Sequence, residues 1–159
     1  MRIDSHKDVM PYGDLTKGRY SENGRAYFIT TVLAERERRY FGDFSCARLV
    51  VAEMRGLHEN GAVNSLAWVV MPDHVHWLFQ LGETETLSSV VKGFKARSAH
   101  RVNRYLGRQG TLWQKAFYDH AVRKEEDIRG IARYIVANPL RAGLVENIGD
   151  YPLWDAEWL

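Results

Sequence analysis

The sequence of 159 residues carries a single cysteine, Cys46, so no internal disulfide can form, which fits a reducing compartment. No apolar run approaches the roughly 18 residues needed to span a membrane. The N-terminus "MRIDSHKDVMPYGD" has no apolar signal core, so export is not expected and a cytoplasmic location is. Internal repeats, low-complexity tracts and linkers rich in Gly, Ser or Pro are also missing, which argues against a disordered or fibrous chain. One domain over 1–159 is expected, with a polar arm at 1–24 and a tail at 146–159. A large charge of either sign is missing too. The net charge is +2 and the pI about 8.7, which permits a nucleic-acid partner without arguing for one.

What is present is core material: 45% hydrophobic and 12% aromatic residues, enough to bury a real interior. "AYFITTVLA" at 26–34 reads as a strand, "ERERRYFGD" as a charged loop, and "FSCARLVVAEMRGLH" at 44–58 as a helix with Ser45 as its N-cap. "SLAWVVM" at 65–71 and "HVHWLFQL" form two strands joined tightly at Pro72-Asp73. Leu87, Val90, Val91, Phe94, Val102 and Tyr105 mark one face of a long helix at 86–106. "AFYDHAVR" at 116–123 reads as a fourth strand. "EEDIRGIARYIVANP" at 125–139 reads as a helix that Pro139 should end. This order predicts an α+β fold, a ferredoxin-like sandwich with helices packed on an antiparallel sheet.

Inside the third strand, His74 and His76 share one face while Val75, Trp77 and Phe79 share the other. Two imidazoles roughly 6–7 Å apart at their α-carbons can converge on one ion. Taken alone, the pair fits ordinary strand packing better than metal binding, and two ligands leave a catalytic site incomplete. Tyr134 and Asn138 lie four residues apart, on one side of the last helix and flanking its Ile128/Ile131/Ile135 stripe. Each also has an ordinary reading, as a packing tyrosine and as a helix terminator before proline.

"MPDHVHWLF" resembles the His-hydrophobe-His signature of the HUH single-strand nucleases, and "ARYIVANPLRAGLV" at 132–145 resembles the tyrosine helix of the REP-associated tyrosine transposases. These are relatives of the small single-tyrosine transposases of the insertion-sequence 200 type. The similarity runs along nearly the whole chain in family order, through "GRYSENGRAYFITTVL" and "LWQKAFYDHAVR". It implies the HUH endonuclease fold, with His74, His76 and Asn138 as ligands of a divalent ion, Mg²⁺ or Mn²⁺, and Tyr134 as nucleophile. The implied reaction leaves a 5′-phosphotyrosine and a free 3′-OH. A ligand set without thiolates suits these hard cations, although imidazoles keep zinc open.

The implied substrate is single-stranded DNA that folds as a hairpin, handled by a nucleoid-associated protein. Nothing in composition or spacing separates DNA from RNA. A monomer is favoured over a homodimer that swaps its tyrosine helix. His120, and more weakly Asp119 and Arg123, are candidates for support of the metal site or for phosphate contact, with packing an equal alternative for His120. Arg97, Arg101 and Arg104 lie on one side of the helix at 86–106, with Lys92 and Lys95 elsewhere around it. These cations, with Arg19 and Arg25 of the arm, are candidates for phosphate contact. They fit an ordinary solvated face equally well. Two other activities stay open: a domesticated DNA-binding protein without cleavage, and a metal phosphoesterase that uses activated water.

Overall fold

A computed structural model describes residues 22–123 and 127–157. Five strands form one antiparallel sheet: β1 (Ala26–Val32), β2 (Val63–Met71), β3 (His74–Leu81), β4 (Tyr118–Ala121) and β5 (Trp154–Ala156), in the spatial order β4-β1-β3-β2-β5. The helices are α1 (Phe44–Glu59), α2 (Leu87–Leu106), α3 (Ile128–Val136) and the short α4 (Asn138–Arg141). The first four strands with α1 and α2 give the expected ferredoxin-like order. The tail supplies the fifth strand, which pairs with β2 through Val69 opposite Trp154.

Each strand–helix–strand unit places its helix on a side fixed by the crossover hand. Both units use the same face here. Tyr27, Ile29, Val75, Trp77 and Phe79 pack with Val50, Met54, Val90 and Phe94 of α1 and α2 into one core. The opposite face carries Phe28, Val69, Met71 and Leu78, which pack with Ala132, Ile135 and Val136 of α3 into a second core. Because both faces are covered, every residue of β1 is buried, and simple apolar–polar alternation is lost. Among the described residues, no helix is long and apolar enough to cross a membrane.

Several local expectations change. The N-cap of α1 is Asp43, not Ser45: its carboxylate accepts from the amides of Ser45 at 2.9 Å and Cys46 at 3.3 Å. Asp43 keeps an extended backbone, whereas Ser45 already lies inside the first turn. Asp43→Ala should therefore lower stability by about 1 kcal/mol, read as a reduced urea midpoint with an unchanged m-value. Tyr105 leaves the core stripe of α2. It is exposed, and its hydroxyl donates to the other Asp43 oxygen at 3.0 Å. Cys46, in the first turn of α1, is buried in the first core, and burial pushes its thiol up to about 11. Iodoacetamide at pH 8 should leave the folded chain unmodified and label it only on unfolding, so labelling in the native state would contradict this packing.

The last helix is broken. Helix α3 stops at Val136, and Pro139 enters at the start of α4. Proline has no N–H to give to the carbonyl four residues back. The Asn138 side chain fills the gap, donating from Nδ2 to Ile135 O at 3.0 Å and to Tyr134 O at 3.3 Å.

Candidate active site

The strand register fixes which side chains share a face. His76 lies opposite Thr30 on β1 and Val69 on β2, and His74 lies opposite Val32 and Met71. Directly opposed residues in an antiparallel pair point the same way. Both histidines therefore face α3, and their ring centroids are 4.7 Å apart.

Each imidazole is held by its Nδ1. That of His76 lies 2.7 Å from Thr30 Oγ1, and that of His74 lies 2.7 Å from Asp73 Oδ1. A carboxylate can only accept, so the His74 Nδ1 carries a proton, and it is the neutral form of the ring that offers a lone pair at Nε2. Asp73, in the two-residue turn before β3, is itself gripped through its second oxygen by Arg36 Nε at 2.8 Å. Burial alone would raise the Asp73 carboxyl. The hydrogen bond and charge of His74, together with Arg36, outweigh it and hold the group well below the usual carboxylate range. A chain Arg36–Asp73–His74 thus orients the first imidazole, as acidic partners do for metal-bound histidines.

His76 is fully buried, and its Nε2 has no hydrogen-bond partner among the described residues. Burial, with the charges of His74 and Arg141 adding to it, keeps this imidazole well below its usual range and therefore neutral. In the tautomer that donates to Thr30, the buried Nε2 presents an unused lone pair. An orphaned acceptor inside a protein is costly, and a cation ligated there would relieve it.

The tyrosine helix closes on this face. The ring of Phe28 lies 5.5 Å from His76 on one side and 6.4 Å from Tyr134 on the other, centroid to centroid. Tyr134 thus reaches the histidine neighbourhood within a single chain. Asn138 is buried. Its nitrogen is committed to the α3 carbonyls, so its amide oxygen is the atom left to accept or to ligate. Among the described residues, no group of three His, Cys, Asp or Glu is gathered for a metal ion. Among the described residues, a third protein ligand would come from another residue type, and an amide oxygen qualifies.

The remaining candidates separate by face. His120 lies opposite Phe28 and so shares the tyrosine face; Asp119 lies opposite Ile29 on the other. Arg25 and Arg123 line a groove of about 430 Å³ beside the start of α3, with Ala26, Gln80, Val122 and Ile128, and Arg25 Nε donates to Val122 O at 3.4 Å. Arg19 lies outside the described residues. Helix α2 packs on the face away from the histidines. There Arg97 and Arg101 pair with Glu53 of α1 at 3.1 and 3.6 Å, while Lys92 and Arg104 are exposed. Lys95 is turned into the fold, its ammonium donating to the carbonyls of Gln114, Lys115 and Ala116.

Thr30, Arg36 and Asp73, which hold the two imidazoles, escaped the sequence reading as site residues, and so did Arg141. The Arg141 guanidinium lies 3.8 Å above the Tyr134 ring centroid. The signal was present, since residues seven apart on a helical path return to one side after two turns. The proline between them hid that path.

Comparison with known proteins gives the same picture. The family described as "Transposase IS200 like" matches residues 25–138. A Haemophilus influenzae protein assigned as a REP-associated tyrosine transposase is 28% identical over 143 residues, which is 81% of this chain and 78% of the relative. The REP-associated tyrosine transposase of Escherichia coli K12 is 33% identical over 87 residues, 54% of this chain and 50% of that protein. A solved REP-associated tyrosine transposase bound to a REP hairpin superposes with a TM-score of 0.72 at 27% identity, covering 87% of this chain and 81% of that one. A Deinococcus radiodurans protein assigned as a transposase shares the fold, with a TM-score of 0.52 at 21% identity over 77% of this chain and 96% of that one. The matched stretch begins at the groove arginine Arg25 and ends at the amide of Asn138, and it takes in both histidines and the tyrosine. The chain belongs to the IS200-like transposase family, in its REP-associated tyrosine transposase branch, and is an enzyme of that HUH type.

Proposed function

We propose that this enzyme cleaves and rejoins single-stranded DNA beside a hairpin, using Tyr134 as nucleophile. The observation that carries this reading is the packing of Tyr134 and His76 on one phenylalanine, with the buried Nε2 of His76 unpartnered. The phenolic oxygen of Tyr134 attacks the scissile phosphorus. The P–O3′ bond breaks, the downstream strand passes to the tyrosine through its 5′-phosphoryl group, the 3′-oxygen of the upstream strand leaves and takes up a proton, and the phenolic proton is lost to water. The covalent link keeps the phosphodiester energy, so a second 3′-OH can later displace the tyrosine without ATP.

His74, His76 and the amide oxygen of Asn138 fit a divalent cation, Mg²⁺ or Mn²⁺. When bound it would supply the positive charge that polarises the phosphate and offsets charge on its non-bridging oxygens. Arg36 and Asp73 hold His74 in the donor-ready tautomer, Thr30 does the same for His76, and Asn138 is aimed by its bonds to the α3 backbone. Tyrosine is a weak nucleophile near neutral pH, with about one in a thousand ionised in water. Its place on a rigid helix supplies the positioning that this weakness demands.

The proposed DNA path runs on the tyrosine face, past His120 and the Arg25/Arg123 groove. The α2 cations Lys92, Arg97, Arg101 and Arg104 would meet only DNA that wraps around the sheet edge. Lys95 has a structural role in this reading. Because Tyr134 and His76 flank the same Phe28 ring within one chain, this reading needs only a monomer for chemistry.

The test is a labelled hairpin oligonucleotide with single-stranded flanks, incubated with protein and Mn²⁺ and run on a denaturing gel. A protein–DNA adduct is expected. Cleavage without adduct would indicate water as nucleophile, and binding without cleavage a DNA-binding protein only.

A further inference from the structure

The Arg141 side chain has an arrangement that folding alone does not explain. Its guanidinium stacks on the Tyr134 ring at 3.8 Å. Two of its nitrogens, Nε and Nη2, are buried with no hydrogen-bond partner among the described residues. A buried guanidinium normally finds a carboxylate or carbonyl, because its donors lose water on burial. Here two donors of the planar fork are unused, on a guanidinium stacked against the tyrosine.

Such a fork matches the paired oxygens of a phosphate group, which it can grip bidentately. We propose that Arg141 binds the non-bridging oxygens of the scissile phosphodiester, while its stack on Tyr134 fixes the ring beside that phosphate. One side chain would then set both reactants of the cleavage step. This rests on the reading of Tyr134 as nucleophile. It also assigns a role to a residue three positions past the family-matched stretch, which ends at Asn138. Arginine is required over lysine, since an ammonium can neither stack as a plane nor offer two parallel donors.

The experiment uses the full chain labelled with ¹⁵N at arginine. The Arg141 Nε–H resonance is assigned by its loss in Arg141→Lys. A synthetic DNA hairpin with a single-stranded flank is titrated in, with natural phosphates and then with methylphosphonates throughout the flank. The Arg141 resonance should shift with natural DNA and stay in place with the neutral flank. No shift with natural DNA, or equal shifts with both, would overturn the proposal.

Adduct formation by Arg141→Ala should fall about 100- to 1,000-fold, the usual loss for one donor aimed at developing charge, and Arg141→Lys should recover only part of it. Melting temperature should be unchanged or raised in Arg141→Ala, since an unpaired buried cation is removed. A lowered melting temperature with undiminished adduct formation would assign Arg141 to structure instead. If the wild-type chain forms no adduct while Arg141 still shifts with natural DNA, the nucleophile reading falls and the phosphate contact stands.

Discussion

Tyr134→Phe should abolish the covalent protein–DNA adduct while leaving the fold and DNA affinity nearly intact. The substitution removes one oxygen and keeps the ring on which Phe28 and Arg141 pack. Phe28 packs on it at 6.4 Å and Arg141 stacks on it at 3.8 Å, and a phenylalanine can accept both. Of the other hydroxyls on this face, that of Thr30 is committed to His76, and Tyr118, opposite Thr30, sits on the edge strand β4. The loss should therefore reach the assay's detection limit, with melting temperature within a few degrees of wild type. A Tyr134→Phe chain that still cut the hairpin at a comparable rate would move the chemistry to water and leave Tyr134 as a packing residue.

His76→Ala should show two losses that can be separated. The first is stability: a fully buried ring disappears and the Thr30 hydroxyl loses its partner. Together these should cost roughly 2–4 kcal/mol, as large-to-small core changes with an orphaned polar group do. The second is response to metal. A ligand bound only by the native state at about 100 times its Kd adds about 2.7 kcal/mol, so Mn²⁺ should raise the wild-type melting temperature by roughly 5–10 °C at this chain length. His76→Ala should lose that rise along with adduct formation. Leu78→Ala is the control, since Leu78 is the next residue on the same face and equally buried. It should cost comparable stability and keep the Mn²⁺ response. An unchanged Mn²⁺ response in His76→Ala would remove the histidine pair from the proposed metal site.

The sheet and its order were legible because β-branched and aromatic runs alternate with helical stripes, and the hairpin at Pro72-Asp73 joins β2 to β3 without ambiguity. Strand alternation also placed His74 and His76 on one side. Sequence could not say which layer that side faces. Both crossover helices take the opposite face, which sends the α2 cations away from the histidines and leaves the tyrosine face to α3. The short edge strand β5 was hidden in "YPLWDAEWL", where three paired residues give no period to read. Asp43 and Ser45 both belong to the capping residue types, and backbone conformation alone chose Asp43. The break between α3 and α4 was signalled by Pro139. The consequence, an asparagine amide turned by the carbonyls that proline leaves open, follows only from the folded geometry. Arg141 was missed for the same reason, since its contact with Tyr134 spans that break.

The central claim is that Tyr134 takes the phosphate, and the direct measurement is mass spectrometry of the trapped reaction. Wild-type protein is incubated with a cleavable hairpin and Mn²⁺, digested with nuclease and then with trypsin. Trypsin should release residues 134–141 as "YIVANPLR". The account predicts this peptide with a nucleotide joined through its 5′-phosphate to Tyr134, and its absence in Tyr134→Phe. Cut DNA bearing a free 5′-phosphate, together with an unmodified 134–141 peptide throughout the time course, would contradict it.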